Sequence, residues 1–403
     1  MKLLFVVQRY GHEVAGGAER CCLEFATRLT GRGHHVEVLT SRAQSYQDWA
    51  DHYPEGATDV DGVIVHRLSV DRPREHERFG QLNARVLWTE HAAPLHMQHE
   101  WSRAQGPFLP ELPEWLRVHA RDFDAVIFYT YLYWPTWKGL ETVAGVVPTV
   151  LHPTAHDESP LYLTMFDDMF HRPTALGFLT EEEGELVRRR FRVRQSSVVT
   201  GVGVELDVAQ PEAEVAAFRA SVSGLGNRPY LAFLGRIDPI KGSEEMLAFF
   251  AAYKDRHPGD LALVVLGEKV KPPGAHPDVF VPGFVSETRK HAALAGSTAL
   301  IQPSFFESFS IVLVEAWAHR KPALVQGRCA VLAGQARRSG GALPYVGYAQ
   351  FEAALDMLLS DPELATAMGA AGRRYAERWY HWDTVLDTYE AFLAELAAHH
   401  ERS

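Results

Sequence analysis

Tyr230-Leu231-Ala232-Phe233-Leu234-Gly235-Arg236-Ile237-Asp238-Pro239-Ile240-Lys241-Gly242-Ser243 lies just past the middle of the 403-residue chain. Its first five residues are apolar without alternation, which suits a strand buried on both faces of a parallel sheet. Gly235 ends the run, Asp238-Pro239 turns the chain, and Ser243 is the expected N-cap of a helix reaching about His257. The alternation continues downstream, with strands expected at 261–266, 279–282, 299–302 and 323–326. Upstream, 2–7 reads as a strand, 17–30 as a helix stopped by Gly31 and Gly33, and 36–40 as the next strand. Further strands are expected at 63–68, 125–129, 149–152 and 175–179, and Thr180-Glu181-Glu182-Glu183 has the spacing of a capping box. Short apolar runs alternating with helical patterns mean α/β architecture, and the restart at Tyr230 means two Rossmann-like halves with a cleft between them.

Length suits two or three domains. A chain 46% hydrophobic and 23% charged has the composition of a globular protein, excluding disordered and collagen-like classes. The net charge of −11 argues against nucleic acid as a partner, because a phosphate backbone calls for surplus Lys and Arg. Cys21, Cys22 and Cys329 form no disulfide framework, and no apolar run reaches the roughly 18 residues that span a bilayer. A cytoplasmic location is therefore expected. No strongly basic amphipathic helix demands docking on a membrane.

Three stretches stand outside the alternation. The polar segment 208–228 reads as a connection. Residues 71–120, rich in His, Trp and Pro (Trp88, His91, His96, His99, Trp101, Trp115), read as an insertion over the first half. In the last helix Trp382, Val385, Leu386, Tyr389, Phe392, Leu393 and Leu396 form one apolar stripe that must pack on something.

Chemistry concentrates in two segments. Gln302-Pro303-Ser304-Phe305-Phe306-Glu307-Ser308-Phe309-Ser310-Ile311-Val312-Leu313-Val314-Glu315 follows a strand and runs into a helix, where ligands bind in open α/β sheets. A helix starting near Ser310 leaves Glu307 in the loop and Glu315 on the helix, so both carboxylates can accept hydroxyl hydrogen bonds from one ligand. Arg236 and Lys241, beside a helix start, make an anion site suited to a diphosphate. Spacing alone fits solvated surface charges equally well in both segments.

His152-Pro153-Thr154-Ala155-His156-Asp157-Glu158 follows a strand of the first half. Two metal-binding histidines four apart need a helix, which Pro153 opposes, so no metal site is expected. Tyr131 and Trp134 are aromatic candidates for stacking on an acceptor, with core packing the alternative. Gln105, in the loop Gln105-Gly106-Pro107, is a third acceptor candidate.

Together, Gly-Arg near Lys-Gly, Pro-Ser-x-x-Glu-Ser-Phe and the Glu307-x7-Glu315 pair resemble family 4 of the retaining glycosyltransferases. Gly16-Gly17-Ala18-Glu19 resembles that family's amino-terminal glycine turn, and Gly31-x-Gly33-His34-His35-Val36 its approach to the second strand. The resemblance implies the GT-B fold: an acceptor-side Rossmann-like domain over 1–200, with 71–120 as its insertion, and a nucleotide-sugar domain over 201–380. A helix over 381–403 would cross back to the amino-terminal domain. It implies that Arg236 and Lys241 hold the donor diphosphate, that Glu315 binds the ribose and that Glu307 binds the transferred sugar. Phe309, Ser310 and Ile311 would present backbone groups, Gly16 and Gly17 would approach the donor, and Val285 would sit against the base. His156 would contact the sugar, with His152 the second choice. The family more often has Gly where this chain has Ser308 and Ser310, which bears on the identity of the sugar.

The expected activity is metal-independent, retaining transfer from a nucleoside diphosphate sugar, UDP- or GDP-linked, to a hydroxyl of a saccharide, lipid-linked or natural-product acceptor. No further cofactor is expected, and closure of the cleft would exclude water. A nucleotide-sugar epimerase or hydrolase on this fold, or a non-catalytic nucleotide-sugar binder, are the alternatives.

Overall fold

A computed structural model describes residues 1–14, 16–88, 93–208, 212–267 and 276–400. His91 lies outside the described residues. The chain divides into two compact units, one of Met1–Thr200 with Leu386–Ser403, the other of Gly201–Val385.

The first unit holds eight strands: β1 Lys2–Val6, β2 His35–Ser41, β3 Gly56–Val60, β4 Val63–Leu68, β5 Ala125–Tyr129, β6 Thr149–His152, β7 Ala175–Phe178 and β8 Ser196–Val199. Their order is β3-β4-β2-β1-β5-β6-β7-β8. Every neighbouring pair is parallel except the β3–β4 hairpin. β5 is buried throughout and β1 from Leu3 to Val6, all of them apolar, as the middle of a sheet covered on both faces requires. β3 escapes the apolar pattern because most of it is exposed, yet it is signalled by Asp61-Gly62, both at positive φ as a tight hairpin turn needs.

Residues 71–120 are less an insertion than the helical crossover from β4 to β5. Helices His76–Trp88, Leu95–Gln105 and Leu112–His119 bury Leu82, Val86, Trp101, Leu112 and Leu116 in the same core as Val126 and Phe128. The last helix, Trp382–His400, supplies this unit with residues from Leu386 onward. There Tyr389 is fully buried against Phe25, edge to face at 5.1 Å.

The second unit holds β9 Tyr230–Leu234, β10 Ala262–Leu266, β11 Val279–Gly283, β12 Ala299–Gln302, β13 Ala323–Gln326 and β14 Ala342–Tyr345, all parallel. The order β11-β10-β9-β12-β13-β14 is the doubly wound Rossmann order, whose direction of winding reverses between β9 and β12. β14 contains Pro344, which only an edge strand tolerates and which hid the strand from its pattern. Within the segment read as a connection, Glu212–Ser221 is a helix of this unit, anchored by buried Phe218 and by Arg219 donating to the Gly296 carbonyl at 2.8 Å. No described helix is long and apolar enough to cross a membrane.

Candidate active site

In the second unit the loops after β9 and β12 flank the reversal point of the sheet. The β9 loop is built by Asp238, whose Oδ1 accepts the Lys241 backbone N–H at 2.9 Å and caps the short turn Pro239–Lys241. Ser243 is not the N-cap expected of it. Gly242 occupies that position in left-handed backbone, and the Ser243 hydroxyl donates back to the Asp238 carbonyl at 2.9 Å.

Gly242 also joins the two loops. A Cβ there would lie 2.1 Å from the Pro303 carbonyl oxygen, so only glycine lets the β9 loop rest on the β12 loop. That contact brings Lys241 Nζ to 2.7 Å from Glu307 Oε1. Arg236 lies in the same loop, 3.3 Å from Asp238 Oδ2, with its side chain 40% exposed.

Beyond Glu307 the chain passes Ser308, half-buried, and Phe309, whose ring packs edge to face on Tyr380 at 4.9 Å. The Phe309 carbonyl is taken by Gln335, so its backbone oxygen is occupied. Ser310 stands at φ 73°, the conformation that explains why glycine suits this position. Its hydroxyl accepts from Gln302 Nε2 at 2.8 Å, tying the strained residue to the end of β12. The helix Ile311–Ala318 then begins, with first-turn N–H groups that have no acceptor inside the helix.

Glu315 is buried on that helix and bonded to Lys290 Nζ at 2.6 Å. Lys290 also reaches Glu287 at 2.6 Å. Burial alone would depress the Lys290 ammonium, but the two carboxylates more than reverse this and raise its pKa. Glu287, His291 and Glu315 are the described group whose ligand atoms converge enough to hold a metal, and the Lys290 ammonium already serves its two carboxylates. A divalent cation there would face that ammonium, so the group fits a metal poorly. Lys290 had no spacing signal, because its partner lies 25 residues away in the chain. Val285 is half-buried after β11, and its neighbour Phe284 is 85% exposed.

In the first unit, His152 and His156 part company. His152 is fully buried, stacked on Tyr129 at 4.8 Å and bonded through Nε2 to the Tyr389 hydroxyl at 2.8 Å. Burial pushes its pKa down to about 3, so it is a neutral core residue. His156 is half-buried, with Nδ1 3.5 Å from Glu158 Oε1. Its loop is held from below by Glu183, whose Oε1 accepts the Ala155 N–H and whose Oε2 accepts the Leu179 N–H, both at 2.7 Å. The capping box is thus half formed. Thr180 Oγ1 accepts the Glu183 N–H at 3.2 Å, but the Glu183 carboxylate turns to the strand-end loop instead. Burial raises Glu183 to about 7 against the lowering effect of those two N–H groups.

Thr130 and Thr154, at the ends of β5 and β6, have φ of 69° and 49°, and Thr154 Oγ1 donates to Thr130 Oγ1 at 3.3 Å. Two β-branched residues in left-handed backbone are costly, and such strain gathers at functional sites. Periodicity carries no trace of it. Gly16 caps the helix Gly17–Gly31, and a Cβ on it would lie 2.1 Å from the Glu19 carboxylate, while a Cβ on Gly17 would meet open space. Glu19 is buried and bonded to Arg9 Nε at 3.0 Å.

The acceptor aromatics are corrected by burial. Tyr131 and Trp134 are 1% and 3% exposed, inside the core of the unit, because the helix after β5 begins at Trp134 and folds both rings inward. Neither presents a face to a ligand. Gln105 is half-buried, and its backbone carbonyl accepts from Trp49 Nε1 at 2.8 Å and from Arg74. Cys329 is buried, which pushes its thiol up to about 11 and leaves it inert.

Residues 217–375 match the family model of glycosyl transferases group 1, a span that contains both loops described above. The match lies wholly within the second unit. The chain is 28% identical to a D-inositol 3-phosphate glycosyltransferase of Kineococcus radiotolerans over 95% of its own length and 92% of the relative. Among solved structures it resembles sucrose-phosphate synthase from Thermosynechococcus elongatus, with a TM-score of 0.74 at 16% identity over 98% and 99% of the two chains. It also resembles Anabaena HepE, solved in complex with UDP-glucose, with a TM-score of 0.71 at 14% identity over 98% and 100%. The fold is GT-B, each unit a Rossmann-like sheet covered by helices.

Proposed function

We propose that this protein is a glycosyltransferase that moves a sugar from a nucleoside diphosphate donor to an acceptor hydroxyl, with retention at the anomeric carbon and without a divalent metal. The observation that carries this reading is the meeting of Lys241 and Glu307 beside Arg236 at the reversal point of the second sheet. A UDP-linked donor is favoured over a GDP-linked one by the neighbours crystallised with UDP-glucose and UDP-2-fluoro glucose.

In this reading Arg236 and Lys241 take the charge that develops on the diphosphate as the anomeric C–O bond breaks, aided by the first N–H groups of the helix Ile311–Ala318. Glu307, already held by Lys241, accepts hydrogen bonds from sugar hydroxyls and is too well paired to serve as a nucleophile. The acceptor oxygen therefore bonds the anomeric carbon on the face the diphosphate leaves, and its proton passes to a donor phosphate oxygen. Glu315 binds the ribose, Val285 flanks the base, Gly16 and Gly17 approach the donor, and His156 contacts the transferred sugar. A saccharide, lipid-linked or natural-product hydroxyl is the acceptor. Three free, buried cysteines suit a reducing compartment such as the cytoplasm.

Melting of the full chain with UDP, GDP, ADP, TDP and their glucose conjugates is the test, because a ligand that binds the native state raises its stability by mass action. UDP-glucose or another UDP-sugar should raise the melting temperature, and Lys241→Ala should abolish that rise. No response to any nucleotide sugar sinks the reading. Release of free sugar or an isomer from the donor, with no acceptor product, replaces transfer with hydrolysis or epimerisation.

A further inference from the structure

Arg67, near the end of β4, pairs in register with Thr40 of β2. It is 3% exposed, yet its guanidinium has no hydrogen-bond or ion-pair acceptor among the described residues, and its Nη1 is fully enclosed. The Tyr53 ring lies 3.9 Å from its Cζ, and the Tyr53 hydroxyl donates to Glu13 Oε2 at 3.1 Å. Thr40 Oγ1 and the Tyr10 hydroxyl are buried without partners too. A buried cation without an acceptor is strongly unfavourable, so a fold that keeps one is paying for something outside the protein.

A second cation repeats the pattern. Arg74 donates through Nη2 to the Gln105 carbonyl, while its Nε is buried and unmatched. Its guanidinium lies 5.3 Å from the ring of Trp49, a residue held at φ 57°. Arg9 lies 5.9 Å from the same ring and within electrostatic reach of both Tyr53 and Arg74. Arg9 is paired with Glu19 and Arg42 with Asp51, and the Glu13 carboxylate lies within electrostatic reach of Arg67 without bonding it, so these four arginines and three carboxylates keep a positive surplus. The cluster gathers toward the carboxyl ends of β1, β2 and β4, where open parallel sheets bind ligands.

We propose that this end of the first unit recognises an oxyanion, carboxylate or phosphate, carried by the acceptor, with Arg67 as its hydrogen-bonding partner and Arg74 as the second cation. Tyr53 and Trp49 offer ring faces beside it. The proposal rests on the glycosyltransferase reading for calling the ligand an acceptor.

Calorimetric titration of the full chain with glucuronate, glucose 6-phosphate and glucose, at one ionic strength, reads the proposal. At least one anionic probe should bind about tenfold or more tightly than glucose, the scale of a charge-assisted hydrogen bond. Arg67→Met should erase that preference without lowering the melting temperature, since it removes a buried unpaired charge, whereas Arg67→Lys should keep part of it. Arg74→Met should weaken it severalfold and serves as the second variant if Arg67→Met does not fold. Equal binding of all three probes by wild type, or an unchanged preference in Arg67→Met, overturns the proposal. Titration with UDP-glucose separates the two readings. Nucleotide-sugar binding without anion preference removes only the anion site. Anion preference without nucleotide-sugar binding removes only the donor reading.

Discussion

Lys241 Nζ sits 2.7 Å from Glu307 Oε1, joining two residues 66 apart in the chain. Both side chains are partly buried, at 29% and 12% exposure, so the pair fixes the ammonium between the β9 and β12 loops. Partly exposed pairs contribute little to stability, ~1 kcal/mol or less. Lys241→Ala should therefore lower turnover by about two to three orders of magnitude while the urea midpoint barely moves. Near-normal turnover in that variant would take the diphosphate contact out of the mechanism.

Gly242→Ala tests the join between the two loops. The added methyl would lie 2.1 Å from the Pro303 carbonyl at a φ of 69°, so the β9 loop must lift. The cost should be about 2 kcal/mol or more, from left-handed strain plus the clash. Affinity for UDP should fall with it. A variant that melts and binds UDP like wild type would show that the loops do not depend on each other.

Ser310 allows strain and hydrogen bonding to be separated. Ser310→Gly removes a left-handed penalty of ~1 kcal/mol and loses a bond of similar worth, so stability should stay within about 1 kcal/mol of wild type. Ser310→Ala keeps the strain and leaves the Gln302 amide unmatched, and should cost about 1–2 kcal/mol. The order serine, glycine, then alanine in urea melts is the expected result. Alanine equal to serine would mean the hydroxyl contributes nothing.

Glu183 should leave a mark on the pH dependence of stability. Its carboxyl is raised by burial from 4.5 to about 7, so the native state holds that proton more tightly than the unfolded chain. The associated stability is present below pH 4.5 and is lost as pH rises to about 7, by up to ~3 kcal/mol. His152 runs the other way, lowered from 6.5 to about 3, and its contribution is lost as pH falls through that window. The stability difference between wild type and Glu183→Gln should therefore shrink from pH 5 to pH 7, and a flat difference would mean Glu183 ionises normally. On the proposed role of His156, turnover should decline in the same variant, because the His156 loop hangs on the Glu183 carboxylate.

The two-sheet architecture was legible because strands buried on both faces are written as unbroken apolar runs, as in Tyr230–Leu234 and Ala125–Tyr129. What escaped was exposed or interrupted: β3 and the edge strand β8, covered on neither face by enough apolar residues, and β14, carrying Pro344 at an edge. Arg236, Lys241, Glu307 and Glu315 were legible as candidates because a strand followed by a charged turn and a helix start is a local pattern. Their partners were not local. Lys290 reaches Glu315, and Glu183 reaches Ala155, across 25 and 28 residues.

By itself, then, the sequence determined the class of fold and the charged loops at the strand ends, since both depend on neighbours in the chain. Only the tertiary structure decided which candidate residues are buried and which keep exposed surface. It buried Tyr131, Trp134 and His152, left His156 half-buried, and enclosed Arg67 without a hydrogen-bond acceptor among the described residues. The reason is that burial and pairing are set by what packs across the sheet, and the chain spells out the residues of a contact without spelling out the distance between them.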